Sequence, residues 1–201
     1  GLTDDTTYAT VQVRASNSAG EGTASAEASG TTVTKAPTAS SVTHGNASVT
    51  VAYAAPVTNG ASAITSYLVY AYIDAAGTTL ASGPTNPQTD STVAGCTTTS
   101  SSCSHAFTGL SNGTTYWFKV VAVNAAGASA ATALSDGYEP FALPLAPSVG
   151  TPISGNTTVT AAWTALTPTT ARPVDGYRVY VYSNSSATTL VEGITNPVSV
   201  T

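Results

Sequence analysis

The chain has 201 residues and a net charge of −5, with only 7% charged side chains against a 42% hydrophobic fraction. That fraction disfavours disorder, and the sparse acidic charge offers no basic stripe to displace phosphate counterions, which excludes nucleic acid as a partner. No apolar run approaches the ~20 residues of a membrane span, no signal peptide is visible, and the lack of Met suggests a mature or internal segment.

The elements follow in chain order. Residues 1–35 open with Gly1-Leu2 and a turn at Asp4-Asp5, then Thr6-Thr7-Tyr8, and run on to Asn17 and Ala19-Gly20. Val49-Thr50-Val51-Ala52-Tyr53 and Tyr67-Leu68-Val69-Tyr70-Ala71-Tyr72 predict strands, each bounded by Gly, Asn or Pro. Cys96 and Cys103 then bracket a Ser/Thr loop, and Tyr116-Trp117-Phe118-Lys119-Val120-Val121 predicts a third strand. No segment has helical periodicity. Thr and Ser supply about 30% of the residues. They make a surface that is hydrated without charge, and Thr favours pleated strands. An all-β chain follows.

The chain also repeats itself. Ala36-Pro37, Gly45-Asn46, Val49-Thr50, Tyr67, Thr78-Thr79-Leu80 and Thr85-Asn86-Pro87 recur at Ala146-Pro147, Gly155-Asn156, Val159-Thr160, Tyr177, Thr188-Thr189-Leu190 and Thr195-Asn196-Pro197. Tyr53 is answered by Trp163. In the other direction, Gly1-Leu2, Thr6-Thr7-Tyr8, Asn17 and Ala19-Gly20 match Gly109-Leu110, Thr114-Thr115-Tyr116, Asn124 and Ala126-Gly127. Residues 1–35 therefore read as the back half of a unit, 36–144 as a complete unit, and 145–201 as the front half of another. One residue is extra between Tyr8 and Asn17. A β-bulge near Ala9-Thr10 would absorb it, leaving Val11, Val13 and Ala15 facing the core like Phe118, Val120 and Ala122.

These units resemble fibronectin type III domains of large secreted or cell-surface bacterial proteins. The resemblance rests on the leading Ala36-Pro37, on Tyr53 and Tyr67, on Gly109-Leu110-Ser111-Asn112-Gly113-Thr114-Thr115-Tyr116, and on Val123-Asn124-Ala125-Ala126-Gly127. It implies tandem immunoglobulin-like antiparallel β-sandwiches, one complete and two partial. It also implies tyrosine corners at Leu110 with Tyr116 and at Leu2 with Tyr8, where a phenol bonds upstream backbone. Asn196 to Thr201, followed by Gly1-Leu2-Thr3, would read as a strand E entering such a corner. The half units would then be completed either by further chain or by another molecule.

Candidate chemistry is sparse. Cys96 and Cys103 fit a local disulfide of a secreted protein better than a metal site with His105, which would lack ligands. His44 and His105 read as solvated, and no nucleophile elbow, phosphate loop or calcium loop occurs, so no cofactor or catalytic residue is assigned. Asn46, Asn112, Asn156 and Asn184 begin glycosylation sequons of the kind a Ser/Thr-rich chain produces by chance. Period two sets Leu68, Tyr70 and Tyr72 on the opposite face from Tyr67 and Val69, and the resemblance, in which Tyr67 and Val69 face the core, implies that Leu68, Tyr70, Tyr72, Trp117 and Val121 lie outside the sandwich, with Tyr180 and Tyr182 their counterparts in the partial unit. Such an apolar patch marks a contact surface. The sequence thus points to a non-enzymatic structural repeat of an extracellular fibre, sheath or adhesin stalk that contacts copies of itself. The alternative is a carbohydrate-binding or spacer module of a secreted polysaccharide-degrading enzyme, with the aromatics stacked on glycans.

Overall fold

A computed structural model describes residues 2–3, 6–58, 62–92, 96 and 102–200, the Ser40 side chain apart. The Asp4-Asp5 turn lies outside the described residues. Every strand pairing is antiparallel, and no helix occurs among the described residues, so the chain is all-β as its patterning requires. It divides into two compact units, Gly1–Pro140 and Phe141–Thr201.

In the first unit, residues 7–31 form β1 (Thr7–Val11), β2 (Ser16–Asn17), β3 (Gly20–Glu21) and β4 (Ala28–Thr31). β1 pairs with β4, and β2 with β3. The register of β1 on β4 shifts between Tyr8 and Val11, where the extra residue called for a bulge. The inward placement of the residues that follow needs correction, because Val11 and Val13 are 49% and 71% exposed and Ala15 is exposed too. Alternation still gives them one face of the strand, but no described sheet covers that face.

The rest of this unit is a complete sandwich. Its strands are β5 (Thr38–Gly45), β6 (Ser48–Ala54), β7 (Ser66–Tyr72), β8 (Gln88–Asp90), β9 (Ser102–Thr108), β10 (Trp117–Asn124) and β11 (Gly127–Ala128). One sheet has the order β5-β6-β9 and the other β8-β7-β10-β11. β6 and β7 alternate strictly between buried and half-buried positions, as expected of strands with one face on a core. Tyr53, Tyr67, Phe107 and Phe118 meet in that core, with ring centroids 4.8 Å apart for the first pair and 5.8 Å for the second. Burying each Val or Phe side chain fully is worth about 1.5–3 kcal/mol, and Val49, Val51, Val69 and Val120 join them.

The second unit repeats the front of this sandwich in a looser form. It contains β12 (Ser148–Val149), β13 (Ile153–Gly155), β14 (Thr158–Thr160), β15 (Trp163–Thr164), β16 (Tyr177–Val179) and β17 (Val198–Val200). β16 pairs with β17 at Tyr177–Val200, Arg178–Ser199 and Val179–Val198, which is the register of β7 on β8 shifted by one repeat. The expected strand E over 196–201 is thereby corrected. The counterpart of strand E is β9, which pairs with β6 in the other sheet. β17 corresponds instead to β8, because Tyr177 and Val179 present it with the same edge that Tyr67 and Val69 present to β8.

Candidate functional site

The outer face of the β7–β10 pair is the surface that the sequence marked for contact. Register sets Trp117 opposite Tyr72, Lys119 opposite Tyr70 and Val121 opposite Leu68. Leu68, Tyr70, Tyr72 and Trp117 are half-buried rather than exposed, and Val121 is 7% exposed. The expectation of an open patch is corrected on this point. β10 is a central strand, so Val121 lies between Leu68 and the chain that leaves β11. The Lys119 ammonium sits 5.0 Å from the Tyr72 ring centroid and donates to the Gly77 carbonyl, so the patch is partly covered from within. Gly137 approaches the Trp117 indole so closely that a Cβ there would lie 3.2 Å from the ring. In the second unit, Tyr180 and Tyr182 are 46% and 40% exposed, their rings 6.4 Å apart and 19° from parallel.

The chain beyond β11 carries residues that the sequence reading missed. Ser129, Thr132 and Ser135 donate their backbone N–H groups to the carbonyls of Ala122, Val120 and Phe118. In return their hydroxyls accept the N–H groups of those three residues and donate to the carbonyls of Ala130, Ala133 and Asp136. Three residues thus span what two span on β10, with a hydroxyl supplying the acceptor that a carbonyl would give in an ordinary ladder. Residues 22–26 repeat the device on the extension of β1, where Val13 N–H bonds the Ser25 hydroxyl and Gly22 N–H the Ala15 carbonyl. A hydroxyl at every third position, rather than every second, was the legible signal.

A polar cluster is buried at the edge of the core. The Tyr53 hydroxyl donates to Asp90 Oδ2 at 2.8 Å, and Asp90 Oδ1 accepts the Thr92 N–H at 2.9 Å together with the Thr92 hydroxyl. His105 Nδ1 lies 4.0 Å from the same carboxylate, and Nε2 is 3.3 Å from Gln88 Oε1. His105 is therefore not simply solvated, its side chain being 19% exposed on β9. His44, at the end of β5, is exposed but engages the Glu139 carbonyl through Nδ1. Burial pushes the Asp90 carboxyl up, but the Thr92 and Tyr53 hydrogen bonds outweigh it, and its pKa lies below the ordinary value. Burial and then the Asp90 charge push Tyr67 up to about 12. Tyr67 Oη is buried without a partner. Its counterpart Tyr177 accepts the Leu166 N–H at 2.7 Å, and the residue one repeat before Leu166 is Pro56, which has no N–H to give. The cluster ties β6, β8 and β9 together across the sandwich. It holds a carboxylate ionised.

Cys96 and Cys103 form a disulfide with Cα atoms 5.5 Å apart. The Tyr116 hydroxyl accepts the Ser111 N–H, and the Tyr8 hydroxyl accepts the Thr3 N–H, both five residues upstream. Leu110 is buried against the core while Leu2 is 70% exposed, for the same reason as Val13. Of the sequons, Asn112 already spends its side chain on the Ala47 N–H and on Asn46. Among the described residues no group of three His, Cys, Asp or Glu could hold a metal ion, and no helix is long and apolar enough to cross a membrane.

The family model described as fibronectin type III domain matches residues 35–136. No curated protein matches the chain. Among solved structures, the chain is similar to the twitchin kinase region from C. elegans, at 18% identity and a TM-score of 0.42 over 54% of this chain and 17% of that one. It is similar to domains A168–A170 of titin at 20% identity and a TM-score of 0.41, covering 57% and 36% of the two chains. For the chicken CNTN1 FN1–FN3 domains the values are 20%, 0.38, 69% and 44%. The chain thus spans well under half the length of the first two structures it resembles.

Proposed function

The chain belongs to the fibronectin type III domain family, and from that premise we propose that it is a structural, non-catalytic segment of an extracellular fibre, sheath or stalk built from tandem sandwiches. The observation that carries this reading is the recurrence of one strand set within a single chain, with β16 and β17 keeping the register of β7 and β8. Linear arrays of this kind draw their stability from each core and from contacts between neighbours. The disulfide and the nearly uncharged surface suit an oxidising exterior. Contacts between sandwiches run through the Tyr70–Trp117 face of the β8-β7-β10-β11 sheet, where the half-buried aromatics still offer area to a neighbour.

A second reading has one specific support. The nearly parallel Tyr180 and Tyr182 rings make an exposed platform on which a sugar could stack. Electron microscopy of the native material separates the two. Filaments or sheets with an axial repeat of ~60–75 Å, given strands of about ten residues at 3.3 Å each, support the structural reading. Tyr70→Ser with Trp117→Ser should then abolish lateral assembly while the sandwich still folds. Isolated strings that bind glycan through Tyr180 and Tyr182 would overturn it.

A further inference from the structure

We propose that the linker Val33-Thr34 is seated in a socket at one end of the complete sandwich, formed by the loop after β6 and the turn between β10 and β11, and that this seat fixes the angle between consecutive sandwiches. The inference rests on the tandem-array reading and makes the array a rod of set pitch rather than a jointed string.

The joint can be followed residue by residue within the first unit. Thr31 is still in the ladder, opposite Thr7. The Thr32 N–H donates to the Thr6 carbonyl, and the Thr32 hydroxyl accepts the Thr6 N–H at 2.9 Å and donates to the Thr3 carbonyl at 3.0 Å. Thr32 therefore belongs to the β1–β4 side. Two residues on, the attachment has changed hands. Thr34 is fully buried, and its hydroxyl donates at 2.9 Å to the Thr58 carbonyl in the loop after β6. Between them, Val33 is half-buried and lies over Gly127, where a Cβ would stand 3.4 Å from Val33 Cγ1.

A linker bends through the φ and ψ of residues that nothing holds, because the backbone has no other soft torsions. Here Val33 alone separates two anchored neighbours, and its branched side chain favours an extended backbone. A flexible joint needs a run of unattached residues, as Gly/Ser linkers have, and this one has none. The larger scale agrees, since residues 1–35 fall into one compact unit with the complete sandwich.

The socket is itself braced. Asn124 is buried, and its Oδ1 accepts the Ala126 and Gly127 N–H groups, which holds the turn. Gly127 has a φ of +132°, which a residue with a side chain rarely adopts, so the floor under Val33 stays bare. Thr65 donates both its N–H and its hydroxyl to the Val123 carbonyl, which ties the end of the loop after β6 to the end of β10. In the second unit, taken by itself, the loop after β15 holds the linker that precedes β12. Buried Ala142 donates its N–H to the Ala171 carbonyl, and the Arg172 guanidinium donates to the Leu143 carbonyl. Different groups make these bonds, the counterpart of Thr34 being Pro144, so what recurs is the seat and not a sequence motif.

Backbone amide NMR relaxation of the full chain, below the concentration at which it associates, tests the joint. The Val33 and Thr34 amides should have order parameters of about 0.85, the value of rigid backbone. Amides of β1 and β4 should report the same tumbling time as those of β6 and β7. Thr34→Asp puts a charge where burial admits none, so the linker should leave its seat. Order parameters at Val33 and Lys35 should then fall below about 0.6, and β1 and β4 should tumble faster than the sandwich, while β6 and β7 amides keep their shifts. Thr34→Ser keeps the hydroxyl and should behave as the parent. A parent chain with an order parameter below about 0.6 at Val33, or with two tumbling times, would overturn the socket whether or not any variant folds. So would a folded Thr34→Asp chain that still tumbles as one body. Neither result touches the fibre reading, because sandwiches on flexible joints can still bundle through the Tyr70–Trp117 face. A rigid joint in a chain that forms no filaments would overturn the fibre reading and leave the socket standing.

Discussion

Two tyrosines that look alike in the sequence carry opposite weight in the core. Tyr53 donates to an ionised Asp90, and hydrogen bonds to charged groups contribute about 1.5–3 kcal/mol. Tyr67 presents a buried hydroxyl with no partner, so its polar atom only costs. Tyr53→Phe should therefore destabilise the complete domain by about 1.5–3 kcal/mol, and Tyr67→Phe should be neutral or stabilising; urea unfolding of the two variants measures both. The same cluster sets an acid dependence. A carboxyl whose pKa is held down by folding stabilises above its ordinary value of 3.8, and that contribution is lost as pH falls through the lower folded value. The loss should shrink in Tyr53→Phe, because removing one of the hydrogen bonds that hold Asp90 ionised brings its two pKa values together. The other copy of the motif makes the same point by substitution. Trp163 has no hydroxyl to donate, and the position of Asp90 is taken by Val200.

The strand scale shows how the family pattern absorbs irregularity. β10 ends a ladder of carbonyls and begins one of hydroxyls, through Ser129, Thr132 and Ser135. Thr132→Val keeps the shape but leaves the buried Val120 N–H without an acceptor, which should cost about 1–3 kcal/mol. Hydrogen exchange should show the Val120 amide losing protection before its neighbours on β7. Strand positions were legible from the sequence because β6, β7 and β10 are runs rich in Val, Tyr and other strand-favouring residues. The segment after β11 was not, since three residues there do what two do elsewhere and no period-two pattern survives. The bulge after Tyr8 was legible from a single surplus residue. Whether Val11 and Val13 were covered was not, because burial depends on a second sheet that the local pattern cannot supply.

At the scale of the molecule, equal sequence does not give equal order. β7 and β16 share their register with the strand that follows, yet among the described residues only β7 is flanked on both edges. Amides of β16 and β17 should accordingly exchange faster than those of β7 and β8. The fold class, the repeat of 110 positions and the disulfide partners were determined by the sequence itself, because hydrophobic alternation, turn residues and the spacing of two cysteines are local quantities. The tertiary structure alone decided that Val121 is covered, that His105 faces a buried carboxylate, and that Val198–Val200 joins β16 rather than taking the place of strand E. Each of those depends on which strand lies beside which, and neighbours in a sheet come from distant parts of the chain.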